Sequence, residues 1–271
     1  MKAIAKYPGS KWSLANWIIS FFPEHHSYLE PFLGSGAVLF NKPRSNIETV
    51  NDMDGNVVDL FHWIKRDPER LAHEIYYTPY ARQIYEDAFS SMPEDSLQRA
   101  VNFYIRLNMG HGYRTNGRKV GWKNDVQGRE RSYASQDWCS LPDKIQQAAE
   151  RLRGVQIENM PALDLIKRFN YKNVLIYCDP PYMLETRNGK QYRCEMDDND
   201  HEKLLRLLLQ HKGPVLISGY DTELYQDMLT GWTRYEATAY SQVCSKKKEV
   251  LWLNYDPPAR QMNFDDYGGV L

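Results

Sequence analysis

The sequence predicts an α/β protein built on a mostly parallel sheet, and three observations carry that prediction. Val174-Leu175-Ile176-Tyr177-Cys178 is a run of five apolar residues that suits a strand buried on both faces. From Tyr28 to Phe40 a short strand runs through Gly34 and Gly36 into the start of a helix. Further apolar strand-like runs, at 47–52, 155–159 and 214–220, are separated by helical patterns, the order of strand–helix–strand units.

At 271 residues, 42% of them hydrophobic, the chain can hold one large α/β domain and a smaller insertion. No apolar stretch reaches the ~18 residues of a membrane span. Met1 to Gly9 has no signal-peptide core, so a cytoplasmic protein is expected. Cys139, Cys178, Cys194 and Cys244 lie far apart with no C-x-x-C pair, which points to reduced thiols with neither a metal site nor a disulfide framework. Net charge is −1, yet Arg99 to Arg131 holds eight Arg and Lys against two acids. Such asymmetry suits one phosphate-facing surface, although a solvated basic loop has the same composition.

Lys6-Tyr7-Pro8-Gly9-Ser10-Lys11 opens the pattern, with Ser10 placed to cap a helix whose Leu14, Trp17, Ile18 and Phe21 share a face. In Glu30-Pro31-Phe32-Leu33-Gly34-Ser35-Gly36, the glycines let backbone approach a ligand, and the following helix offers free N–H groups. A dinucleotide fingerprint would want glycine at position 39, where Leu39 stands. The next strand ends at Asp52, well placed to accept ribose hydroxyls, while Asp54 reads better as the cap of a helix from Val57 to Lys65.

Asp67-Pro68 starts a helix, and helical patterns continue to about Met109. Gly110 to Asn124 then breaks regular structure with glycines, aromatics and basic residues, a composition suited to reading bases and phosphates. Arg106, Arg114, Arg118, Lys119 and Lys123 are its candidate DNA contacts. A helix over 141–153 and a strand over 155–159 follow, with Pro161 at the first position of the next helix.

The central strand ends on Asp179-Pro180-Pro181-Tyr182. Ligands of open α/β sheets sit just beyond strand carboxyl ends, where Asp179 falls. The prolines end the ladder and stiffen the backbone. A planar amine can donate one hydrogen to Asp179 and the other to the Pro180 carbonyl, with its ring stacked on Tyr182. The polar stretch 183–192 reads as mobile until a partner arrives. Asp198 to His211 forms an amphipathic helix with Leu204, Leu205, Leu207 and Leu208 inward and His201 at the surface. Ser218 and Tyr220, at the exit of the strand 214–220, are placed to line a base pocket. The stretches 232–239 and 249–254 alternate like a hairpin, with Ser245-Lys246-Lys247-Lys248 near its turn. Tyr255-Asp256-Pro257-Pro258-Ala259 lacks the second aromatic and reads as a strand end before a disordered terminus.

The D-P-P-Y tetrapeptide, the K-Y-P-G-S-K opening, P-F-L-G-S-G and N-D-M-D occur in the order found in Dam-like (group alpha) adenine-specific DNA methyltransferases, which the chain resembles over nearly its whole length. The resemblance implies a Rossmann-like S-adenosylmethionine-dependent methyltransferase sheet with an inserted, mainly helical DNA target-recognition domain. It divides the chain into a cofactor-binding half (1–65), a target-recognition insertion (66–150) and a catalytic half (151–271). It implies transfer of a methyl group from S-adenosylmethionine to N6 of an adenine flipped out of double-stranded DNA, without a metal or a covalent enzyme intermediate. Asp179, Pro180 and Tyr182 become catalytic residues. Tyr7, Lys11, Phe32, Gly34, Gly36, Asp52, Asn159 and Asp179 become cofactor contacts. Many family members carry an acid in an N-x-D-A pattern that holds the cofactor adenine, and here that position is Pro161. Backbone near Asn159, or Asp164, is the substitute expectation.

Relatives that act on cytosine N4, RNA or protein amines carry S-P-P-Y or N-P-P-Y more often, and the acid at Asp179 favours adenine over them. An inactive DNA-binding relative is the other alternative, and a cognate restriction endonuclease is a candidate partner in the cell.

Overall fold

The computed structural model describes residues 3–90, 93–112, 114–126, 133–187, 189–240 and 246–258. Among them, seven strands form one sheet: β1 (Ser27–Glu30), β2 (Ile47–Asn51), β3 (Val155–Glu158), β4 (Val174–Cys178), β5 (Val215–Gly219), β6 (Thr233–Tyr240) and β7 (Lys246–Leu253). Their order is β3-β2-β1-β4-β5-β7-β6. The first five in that order run parallel; β7 lies antiparallel to β5 and to β6. The chain thus leaves β1 in one direction and returns to its other side at β4. The loops after β1 and β4 diverge there, and open α/β sheets form their ligand crevice at such a switch point.

Every residue of β4 and β5 is buried, as expected of strands covered on both faces. Tyr28, Val50, Leu175, Tyr177, Leu216, Leu251 and Leu253 point to one face, into a core shared with Phe61, Ile64, Leu71, Tyr104, Leu107, Ile145 and Leu152. The helices between 66 and 150 (Pro68–Tyr77, Arg82–Ser90, Ser96–Met109, Ala134–Cys139, and Leu141–Leu152, which crosses residue 150) therefore pack continuously with the sheet. All seven strands lie outside that stretch. The opposite face buries Leu29, Ile176, Val215, Ile217, Val250 and Trp252 against Leu165, Leu204, Leu205 and Leu208.

Local chemistry accounts for several helix starts. Asp54 caps Gly55–Arg66 by accepting from Asn56 N at 3.0 Å, and Asp67 caps Pro68–Tyr77 from a side chain preceding the proline. Asp197 and Asp200 form a reciprocal capping box on Asp198–Leu209.

Three expectations change. Ser10 does not cap the first helix, Ala15–Ile19; its hydroxyl pairs with Ser35 Oγ at 2.8 Å, tying the opening to the glycine loop. His201 is not a surface residue. It is fully buried, with Nδ1 2.9 Å from the Tyr225 hydroxyl. The stretch after Tyr182 is tied down: Arg187 pairs with Glu195, which also accepts from the backbone of Gln191 (2.7 Å) and Tyr192 (2.9 Å). Of the four cysteines, Cys139, Cys178 and Cys194 are free thiols, and Cys244 lies outside the described residues. So do Tyr113, Asn188, Arg129, Glu130 and Arg131, Ser245 in the hairpin turn, and the terminus from Ala259. Tyr255 anchors the chain before that terminus, its hydroxyl donating to Phe21 O at 3.0 Å. No helix of the described residues is long and apolar enough to cross a membrane.

Candidate active site

A cavity of about 300 Å³ opens where the β1 and β4 loops part. That volume is at the lower end of ligand clefts. One wall comes from the opening loop and the glycine turn. Gly34 takes φ +49°, and a Cβ there would sit 3.1 Å from the Tyr7 ring, so only glycine lets the two loops close together. Gly36 takes φ +66°, and its missing Cβ would lie 2.7 Å from a Phe40 ring carbon. Asp52 locks the turn from beside it, accepting from Gly34 N and Asp54 N, each at 2.9 Å.

The lining carries an excess of acids. Glu30, Asp52, Asp54, Asp179, Glu195 and Asp200 line the cavity, against Lys11 among the bases. Burial pushes the Asp52 carboxyl up to about 7, opposed by the backbone N–H groups of Asp54 and Gly34. Burial likewise pushes Glu30 up to about 8, opposed by the Tyr28 hydroxyl, which donates to it at 2.8 Å. Asp54 Oδ2 is buried with no hydrogen-bond partner within the protein. An unsatisfied carboxylate oxygen is costly in isolation and calls for a donor or cation from a ligand. S-adenosylmethionine is cationic at sulfur and at its amino group and carries ribose hydroxyls as donors, so this lining fits it.

At the end of β4 a compact charged group forms. Lys11 Nζ lies 2.9 Å from Asp179 Oδ1 and 3.5 Å from Glu249 Oε1, and donates to Gly9 O at 2.9 Å. Burial pulls the Lys11 ammonium down, but Asp179 and Glu249 outweigh it and leave it raised. Burial pushes Asp179 up, while Lys11, and hydrogen bonding from Tyr182, hold it back. The Tyr182 hydroxyl donates to Glu249, its ring meets the Tyr220 ring edge-on at 4.6 Å, and Lys11 Nζ stands 4.7 Å from its centroid. Arg187 Nε donates to Tyr182 O at 2.6 Å. Ser218 is occupied beneath this corner, paired with the Tyr177 hydroxyl at 2.8 Å.

Tyr7, Lys11, Phe32, Gly34, Asp52 and Asp179 therefore meet in one cavity. Gly36 shapes the turn from outside the lining, and Pro180 and Tyr182 stand behind Asp179. Asn159 is also outside; its amide donates to Asp52 O at 2.7 Å. Asp164 is ruled out as a cavity group: it is paired with Lys167 at 3.1 Å in solvent. Pro161, Ala162 and Leu163 line the cavity instead, an apolar shelf where the family's acid would stand.

The basic candidates are dispersed. Arg106 is drawn inward, donating to Ala88 O at 3.0 Å between the Phe89 and Phe103 rings. Lys119 pairs with Glu86 at 3.2 Å. Arg114, Arg118 and Lys123 lie along the irregular loop, which is laced to the stretch after Tyr182: Thr115 N donates to Gln191 O (2.9 Å), Arg193 N to Thr115 Oγ1 (3.2 Å) and Asn116 Nδ2 to Lys190 O (2.7 Å). Tyr192 and Cys194, on that stretch, complete the cavity wall.

Sequence reasoning missed Glu249 and Tyr192. Glu249 had a signal, since strand alternation puts it on one face with Leu251 and Leu253, an acid where a core residue is expected. Tyr192, inside a polar run, had none.

DNA adenine methylase of Salmonella typhi is 26% identical over 247 residues, covering 83% of each chain. That of Escherichia coli (strain K12) is 24% identical over 247 residues at the same coverage, and that of Vibrio cholerae is 23% identical over 235 residues, covering 82% of each chain. The family model for D12 class N6 adenine-specific DNA methyltransferases matches residues 7–242, most of the chain, and the protein belongs to that family.

Proposed function

We propose that the corner formed by Asp179, Pro180 and Tyr182 is where this S-adenosylmethionine-dependent DNA adenine N6-methyltransferase activates its target amine. The observation that carries the assignment is the position of Asp179, at the carboxyl end of the central strand and in one cavity with Gly34 and Asp52. Adenine's exocyclic nitrogen is a poor nucleophile because its lone pair is delocalised into the ring. Asp179 accepting one N6 hydrogen and the Pro180 carbonyl accepting the other would localise that pair. Tyr182 would replace the stacking that an adenine loses on leaving the duplex. Lys11, 2.9 Å away, opposes the rise that burial gives the Asp179 carboxyl and so favours its charged, accepting form.

S-adenosylmethionine supplies, when bound, a methyl group on a cationic sulfur. Tyr7, Phe32 and Gly34 would hold it by close contact, Asp52 would take the ribose hydroxyls, and Lys11 would border it. Asn159 and Gly36 would act through the loops they brace, and the Pro161–Leu163 shelf would receive the adenine ring. Residues 66–150 would serve as the target-recognition insertion between a cofactor half (1–65) and a catalytic half (151–271). Arg114, Arg118 and Lys123 are the better-placed phosphate or base contacts, with Lys119 and Arg106 already engaged within the protein. We further propose a cytoplasmic setting, where the DNA is, and a companion restriction endonuclease whose sites this enzyme would protect.

The test is Asp179→Ala. It should abolish methyl transfer to adenine while leaving S-adenosylmethionine binding largely intact, and full activity in that variant would refute the assignment. Sequencing methylated positions in DNA from a host expressing the protein would supply the target sequence.

A further inference from the structure

We propose that Glu249 is a positioning residue for methyl transfer: its carboxylate fixes the ring of Tyr182 and steadies Lys11 beside Asp179. The proposal rests on the assignment of Asp179, Pro180 and Tyr182 made above.

The topology explains how an acid from the last strand reaches this corner. β7 runs against β5, with Val250 opposite Gly219, the last residue of β5. Its amino-terminal half therefore lies at the carboxyl edge of the parallel strands, the side on which the β1 and β4 loops open. A parallel strand in that place would present its other end. Glu249 stands one residue before Val250, level with the exit of β5.

The side chain is 4% exposed, and its partners belong to the catalytic corner rather than to the core. Oε1 accepts the Tyr182 hydroxyl and lies 3.5 Å from Lys11 Nζ. With Tyr220 meeting the ring edge-on at 4.6 Å and Arg187 holding the Tyr182 carbonyl, Glu249 supplies the restraint at the far end of the phenol. A ring held only at its Cβ end can swing about χ1 and χ2. One held also through its hydroxyl presents a fixed face to an incoming base. An apolar residue at 249 would continue the face of Leu251 and Leu253 and avoid the desolvation that a buried carboxylate costs. Purely structural packing therefore does not account for an acid here, whereas orientation of Tyr182 and Lys11 does.

The experiment uses the full chain, duplex DNA carrying the methylated sequence, and three variants: Glu249→Leu, which leaves the Tyr182 hydroxyl no acceptor at 249, Tyr182→Phe and the double variant. Expected for Glu249→Leu are S-adenosylmethionine binding within about threefold of wild type, a DNA KM changed by less than about threefold, and kcat lowered at least tenfold. Tyr182→Phe, which keeps the ring and removes only the hydroxyl, should lower kcat by a similar factor. The double variant should be no slower than the slower single, because both remove the same link. A kcat within threefold of wild type for either single variant, multiplicative losses in the double, or a Glu249→Leu loss that lies in cofactor binding would each overturn the proposal. If Glu249→Leu does not fold, Tyr182→Phe alone decides. A wild-type protein that leaves adenine unmodified would instead refute the underlying assignment, which separates the two failures.

Discussion

Replacing Lys11 by Met tests the charged corner most directly. Methionine keeps most of the length and apolar stem and removes only the ammonium. That ammonium faces Asp179 at 2.9 Å and Glu249 at 3.5 Å, with the lysine side chain 6% exposed. At an effective dielectric of about 20, each contact is worth roughly 5 kcal/mol before desolvation. Removing one partner of a buried pair typically costs about 3–5 kcal/mol net, because the opposite charge is left uncompensated. In the variant, Asp179 and Glu249 face each other without a cation, and both carboxyls, already raised by burial, rise further. An acid with a folded pKa above its unfolded value binds more protons in the native state. Stability must therefore fall as pH rises through that interval. In wild type the Lys11 ammonium is raised, so its contribution is complete below about pH 10 and flat across the neutral range. Urea unfolding of both proteins, followed from mildly acidic to mildly alkaline pH, should show a loss of about 3–5 kcal/mol at the alkaline end, shrinking toward the acid end. A loss under about 1 kcal/mol, or one that does not grow with pH, would refute the reading of this group as a desolvated ion cluster.

Two other perturbations probe the walls. Gly36→Ala combines a left-handed backbone at φ +66° with a Cβ 2.7 Å from Phe40, so thermal unfolding should register a loss of about 2–4 kcal/mol; unchanged stability would mean the turn differs from this description. Glu30 has a folded pKa of about 8, and its burial costs stability as pH climbs from about 4.5 toward that value, at up to about 1.4 kcal/mol per unit. Glu30→Gln should flatten the pH dependence of unfolding over that window, and a slope identical to wild type would show that Glu30 does not titrate there.

Much of the fold was legible because its central strands obey strong rules. The run Val174–Cys178 had no polar face to hide, and Asp54 and Asp67 announced helix starts through capping chemistry. His201 was misread for a physical reason. Its acidic neighbours Asp200 and Glu202 suggested solvent, yet 201, 204, 205 and 208 form one helical stripe, and the three leucines bury the imidazole with them. The glycine turn beside the cavity was legible where backbone geometry demanded glycine, at Gly34 and Gly36. What could not be read was pairing between distant segments. Nothing local to Ser10 reveals Ser35, and nothing local to Asp179 reveals that Lys11 and Glu249 close around it. The basic residues show the same limit from the other side, since charge alone does not separate Arg106, drawn under Ala88, from Arg118 at the surface.

The lacing of Thr115 and Asn116 to Gln191, Lys190 and Arg193 has an engineering consequence. Transplanting residues 110–125 from a relative to redirect sequence preference would remove the two ties made by the Thr115 and Asn116 side chains and loosen Tyr192 and Cys194. A chimaera made that way should weaken its grip on the methyl donor before any DNA is added. Moving 184–196 together with the graft is the design this architecture demands.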